Sequence, residues 1–203
     1  GAVFTGFGIV TTLVIVLIVA ALVNFGVNGI QYAIQLHLVS CGTNATLIGF
    51  ISGGISLTML VGSLLAGKLS DKVPVGPTVC LAYLFICLCV LPMTLTDSYW
   101  IMLVANSFVG LPFPLINAML LGFIFAKSPT SMQGRITVTL TVPAQVLSMF
   151  CSAVAGTLLP VFGFHGAVLV FLAVLVASAV LVICSRSIRS IPKAAQWEHT
   201  MLR

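Results

Sequence analysis

Four carboxamides stand at Asn24, Asn28, Gln31 and Gln35, separated by four, three and four residues. On a helix that spacing stacks them along one face. A carboxamide both donates and accepts hydrogen bonds, so the face suits the polar atoms of a neutral solute or those of a neighbouring helix. Asn106, Gly110, Phe113 and Asn117 repeat the spacing, with Pro112 and Pro114 interrupting the backbone ladder between them. Ser52, Ser56, Met59 and Ser63 return 89 residues later as Thr141, Gln145, Ser148 and Ser152, and Ala66-Gly67 returns as Ala155-Gly156. Other reactive patterns are missing: there is no G-x-S-x-G or H-E-x-x-H and no paired C-x-x-C. His37 and His165 both lie at the outer edge of apolar runs. Neither catalysis nor a metal or other cofactor is expected.

The elements that carry these residues are apolar to an extent that fixes their surroundings. Of 203 residues 60% are hydrophobic and 5% charged, three acids against eight bases, and the mean hydropathy is +1.26. Soluble domains carry about a quarter of their residues charged, so the solvent here is mostly lipid, which excludes a soluble enzyme and a nucleic-acid binder. Backbone groups in lipid must be satisfied internally, and runs of this length without period-2 alternation read as helices. A span takes about 20 residues, which predicts six: 7–38, 44–66, 77–95, 98–126, 136–161 and 164–184. Breakers separate them, namely Gly42, Pro74-Val75-Gly76-Pro77, Thr96-Asp97-Ser98, Ser128-Pro129-Thr130 and Phe162-Gly163-Phe164. The fold class is therefore an all-α integral membrane protein, a six-helix bundle (1–184) followed by a basic tail (185–203).

The bases set the orientation. Lys68 and Lys72 follow the second span, Lys127 and Arg135 the fourth, and Arg186, Arg189, Lys193 and Arg203 the sixth. All eight fall on one side, and cytoplasmic loops hold the Lys/Arg excess, so both termini are expected in the cytoplasm. The net charge of +5 reports topology, not a polyanionic partner. The tail reads either as a solvated, frayed end or as a dock for anionic lipid or a partner. Asn44-Ala45-Thr46 matches a glycosylation acceptor, although Asn is equally a natural helix N-cap. The six cysteines read as small hydrophobes.

No acid or base lies within a span, so the usual mark of a proton relay is absent. Exposing the carboxamide faces to lipid would be costly. Interhelical hydrogen bonds in membranes give only ~0.6 kcal/mol each, and four in a row exceed one packing seam. Asn24, Asn28, Gln31, Gln35, Asn106, Phe113, Asn117 and Gln145 are therefore expected to line a water-filled cavity. The Pro112/Pro114 break fits a hinge or binding site at mid-membrane, or a kink absorbed by packing. The offset of 89 suggests two inverted three-helix repeats whose first two helices face something polar and whose third faces lipid. Gly49/Gly53 and Gly62/Ala66 have the spacing that lets backbones approach.

Gly67-Lys68-Leu69-Ser70-Asp71-Lys72-Val73-Pro74-Val75-Gly76 resembles the G-x-x-x-D-[RK]-x-G loop motif of the major facilitator superfamily. Gly67, Asp71 and Lys72 match; Pro74 stands where the strong copy of the motif has Gly, and Pro77 where a base is usual. The resemblance implies helices seven to twelve of a twelve-helix facilitator over nearly the whole chain, most similar to drug-efflux branches. It implies alternating access, with Asp71 and Lys72 helping to hold one conformational state, and a plasma-membrane location. The implied partners are the lipid bilayer, an amino-terminal six-helix half, a small-molecule substrate and protons carried by acids of that other half. Three functions stay open on these residues: proton-coupled export of small amphipathic compounds, uptake of a neutral polar solute such as a sugar, and a non-transporting six-helix scaffold.

Overall fold

The computed structural model of the chain describes residues 2–189 and 191, with side chains from Val10 onward. Among these residues the chain is helical and has no strand. It runs as α1 (Ala2–Ser40), α2 (Ala45–Leu69), α3 (Val75–Leu95), α4 (Tyr99–Val109), α5 (Phe113–Lys127), α6 (Gln133–Cys184) and α7 (Arg186–Arg189), with a 3₁₀ turn at Thr130–Met132. At 1.5 Å per residue, the 21 residues of α3 reach about 31 Å, the thickness of a bilayer's hydrocarbon core.

Hydropathy alone counts five membrane-length segments, because it joins Thr130–Cys184 into one. Side-chain contacts show that this segment is two spans. Cys151 Sγ lies 3.4 Å from the Phe25 carbonyl, while Leu175 packs directly over Gly26. On a straight helix residues 151 and 175 would be about 36 Å apart, yet both meet α1 at the same level, so the chain reverses midway between them. The reversal is Gly163, with φ 72° and ψ 178°, a conformation open almost only to glycine. The expected boundary at 162–164 thus lies where the backbone turns, and six spans result. We call 133–162 and 164–184 the first and second limbs of α6.

The expected fourth span, 98–126, is broken. α4 ends at Val109 with Gly110 as its C-cap, and α5 starts at Phe113, with Pro112 as its N-cap and Pro114 in its first turn. Proline is tolerated there because first-turn donors have no intrahelical partner. The break is sealed by α2: Thr58 Oγ1 donates to the carbonyls of Ile55 and Ser107. Gly62 sits against the Leu111 carbonyl and Gly54 against the Ser107 hydroxyl, positions where a Cβ would fall 2.2 Å from those oxygens. Asn44 is the N-cap of α2, its side chain accepting from the Thr46 amide at 2.9 Å.

α1 packs chiefly along α6. Gly29 faces the Phe171 ring so closely that a Cβ would lie 2.1 Å from it, and Ser178 Oγ donates to the Val19 carbonyl at 3.3 Å. Each span divides its faces between the interior and the surroundings. α3 buries Val79, Tyr83, Ile86 and Val90 while turning Leu81, Leu84 and Leu88 outward. The second limb of α6 likewise buries Phe171, Leu175 and Val182 and exposes Val176 and Val180. α2 buries only Ile51, Gly62 and Ala66 and leaves Ser56 and Ser63 exposed. A six-helix ring has too little interior for whole helices to be hidden, so each span shares its circumference between core and surroundings.

The tail begins in order. α7 folds back on the start of α3, with Ile188 and Ile191 fully buried and the Gly76 amide donating to the Ile191 carbonyl at 3.1 Å. The frayed-end reading therefore fails for Arg186–Arg189 and Ile191. Positions 190 and 192–203, including Lys193 and Arg203, lie outside the described residues.

Candidate functional site

α1, α5 and the first limb of α6, with Tyr83 from α3, enclose a cavity of about 390 Å³. Asn24, Asn28, Phe113, Asn117 and Gln145 meet in its wall, joined by Thr141 and Ser148. Three separate stretches of sequence thus supply one polar lining. Its apolar part comes from Val16, Ile116, Leu120 and Leu140. Asn117, Thr141 and Gln145 are exposed, so the cavity opens on that side.

The carboxamides are held to different degrees. Asn24 Nδ2 donates to its own helix at the Ala20 carbonyl, 2.8 Å away, leaving its oxygen for the cavity. Asn28 Nδ2 donates to Ser148 Oγ at 3.2 Å, tying α1 to the first limb of α6 across the cavity wall. No hydrogen bond to another side chain is formed by Asn117 or Gln145 among the described residues. A lining that mixes anchored and unengaged amides around an apolar wall matches the usual make-up of small-molecule pockets, which span about 300–1,000 Å³.

Gln31, Gln35 and Asn106 are placed elsewhere. Gln31 Nε2 donates to Asn106 Oδ1, and Asn106 Nδ2 donates back to Gln31 Oε1 at 3.2 Å. Asn106 is 0% exposed, so this reciprocal pair joins α1 to α4 inside the bundle, away from the cavity. Gln35 Nε2 reaches Ser52 Oγ on α2 at 3.4 Å. The face of four carboxamides is therefore divided by depth, the first two residues on the cavity and the last two on neighbouring helices.

Tyr83 is the residue that sequence reasoning missed. It is 2% exposed and lines the cavity. The signal was a lone phenol in an otherwise apolar span, since a buried Tyr hydroxyl requires a partner.

At the opposite end from the bases, His165 Nε2 lies 2.8 Å from Asp97 Oδ1 and His37 stacks on Phe164 at 4.4 Å. These contacts tie the α3–α4 connection and the end of α1 to the α6 reversal. At the base-carrying end, Ser70 caps α2 and the Lys72 and Val73 amides both donate to the Leu69 carbonyl. This turn leaves Asp71 and Lys72 exposed between the end of α2 and the start of α3. Neither makes an ion pair among the described residues. Gly67 is open, with nothing within 4 Å of where a Cβ would stand.

No curated protein matches the chain. A family model described as Major Facilitator Superfamily matches residues 2–201, all six spans included. With its membrane-length apolar helices, this makes the chain a multi-pass membrane protein of a family of transporters, not enzymes. The chain belongs to the Major Facilitator Superfamily.

Proposed function

We propose that the chain is the carboxy-terminal half of a twelve-helix secondary transporter in the plasma membrane that exports small amphipathic compounds in exchange for protons. The observation that carries this reading is the cavity, where apolar walls from Val16, Ile116 and Leu120 face the amides of Asn24, Asn28, Asn117 and Gln145. Rings and alkyl chains suit one wall and a few polar atoms the other. The lining carries no charge, so protons are carried by acids of the amino-terminal half.

That half has a surface to meet. Gly49 and Gly53 on α2 and Gly156 on the first limb of α6 have open space where a side chain would stand. Ser56, Ser63, Thr141 and Ser152 are exposed beside them. Ser52, Ser56 and Ser63 correspond to Thr141, Gln145 and Ser152 at the offset of 89, which supports two inverted three-helix repeats. Small residues let another bundle approach closely and close the open side of the cavity. Rocking of the two bundles then exposes the solute to either face in turn, with both termini cytoplasmic and Asp71 and Lys72 helping to hold one state at the helix ends. Uptake of a neutral polar solute is the second reading, favoured by the uncharged amides.

The test is accessibility. In a cysteine-free transporter containing this chain, single cysteines at Asn24, Asn28 and Gln145 react with a membrane-impermeant maleimide, and an amphipathic dye slows the reaction. Labelling by lipid-soluble reagents alone overturns the cavity assignment. Protection by a sugar and not by the dye replaces export with uptake. Dye efflux that survives a protonophore removes the proton coupling.

A further inference from the structure

A groove at the base-carrying end shares no lining residue with the cavity. It lies on the outer side of the bundle, between the start of α3 and the end of the second limb of α6, with a volume of about 960 Å³. Pro77, Leu81, Leu84 and Ile183 make its walls, and Arg186 and Arg189 close its mouth. From Pro77 to Leu84 the walls descend about 10 Å along α3, roughly two thirds of one leaflet's hydrocarbon depth.

The two arginines are held in place. Ile188 and Ile191 are buried, the Arg189 backbone carbonyl rests on Gly76 where a Cβ would fall 2.2 Å away, and the Gly76 amide bonds the Ile191 carbonyl at 3.1 Å. The strap, Arg186–Arg189 with Ile191, therefore presents both guanidinium groups from a fixed backbone. Asp71 and Asp97 are the acids among the described residues, and neither pairs with Arg186 or Arg189. Two cations above an apolar groove of sub-leaflet depth complement a headgroup phosphate with an acyl chain beneath it.

We infer that this groove binds one anionic glycerophospholipid, its phosphate on Arg186 and Arg189 and an acyl chain along Leu81, Leu84 and Ile183. A guanidinium presents several donors in a planar fork that matches phosphate oxygens. The bound lipid fastens the strap to α3 at the membrane surface, apart from the solute cavity, so failure of the transport reading leaves this site untouched.

Native mass spectrometry of the purified protein tests it, with phosphatidylglycerol and phosphatidylcholine of identical chains competing in the detergent. Retention of phosphatidylglycerol over phosphatidylcholine is expected, falling about fivefold for Arg186→Gln or Arg189→Gln and about 25-fold for the double variant, since each base near an anionic surface contributes a factor of about five. Gly76→Val keeps every base but displaces the strap, and selectivity falls likewise. Arg135→Gln, a base at the same end but outside the groove, leaves it unchanged. Melting temperature in phosphatidylcholine alone separates folding from lipid loss. Equal loss in Arg135→Gln marks general surface charge and overturns the site, as does retained selectivity in both the double variant and Gly76→Val. Displacement by inorganic phosphate alone marks a free-anion site and overturns the lipid.

Discussion

Replacing Gln31 by Met, a side chain of similar length without polar atoms, tests whether the Gln31–Asn106 pair is structural. Asn106 is wholly buried, and both of its hydrogen bonds to another side chain go to Gln31. Gln31→Met leaves an amide with a donor and an acceptor unsatisfied inside the bundle, a loss of about 1–3 kcal/mol. Interhelical hydrogen bonds in membranes average about 0.6 kcal/mol and reach about 1.7, so two bonds give a coupling of about 1–2 kcal/mol. Asn106→Leu strands Gln31 in the same way but less severely, because Gln31 is only partly buried. In the double variant both polar groups are gone, and the loss should be smaller than the sum of the singles. At about 2–4 °C per kcal/mol for a chain of this size, a loss of about 1–3 kcal/mol lowers the melting temperature of Gln31→Met by about 2–12 °C. Thermal unfolding of the four proteins in one detergent measures the cycle. Losses that add within about 0.3 kcal/mol refute the pairing. Stability regained in the double variant with dye transport abolished refutes the conclusion that the pair stands apart from solute binding.

Gly163→Ala is expected to destabilise by about 1–3 kcal/mol on conformation alone, because φ is 72° and nothing lies within 4 Å of the added methyl; an unchanged melting temperature would show that the reversal does not need glycine. Asp71→Asn should lower transport severalfold while membrane insertion and melting temperature stay near wild type, since Asp71 is exposed and makes no ion pair among the described residues. Full transport by that variant would remove the loop from the mechanism.

The helices were legible because hydrocarbon leaves the backbone few alternatives, and Gly163 and Pro112 marked their interruptions by chemistry that only those residues need. The spacing of Asn24, Asn28, Gln31 and Gln35 correctly gave one face but not its division. Depth along α1 decides which amides meet the cavity and which meet α4 or α2, and depth depends on which helix stands opposite. The role of Tyr83 was hidden for the same reason, since the cavity it lines is built by α1, α5 and α6 and a spacing argument sees only local neighbours. The strap read as a polar tail because Ile188 and Ile191 are too few to form a periodic pattern. Their burial follows from the close approach that Gly76 allows.

The connections differ at the two ends of the bundle. At the base-free end they consist of residues 41–44, residues 96–98 and Gly163 alone, whereas at the base-carrying end residues 70–74 and 128–132 join the helices. Shorter tethers leave neighbouring helix ends less room to separate. Helix ends at the base-free face are also cross-tied by the His165–Asp97 pair and the His37–Phe164 stack. Affinity tags, fluorescent reporters or protease sites are therefore best inserted at 128–132, clear of Asp71 and Lys72, and a probe placed beside Gly163 would report strain of its own making.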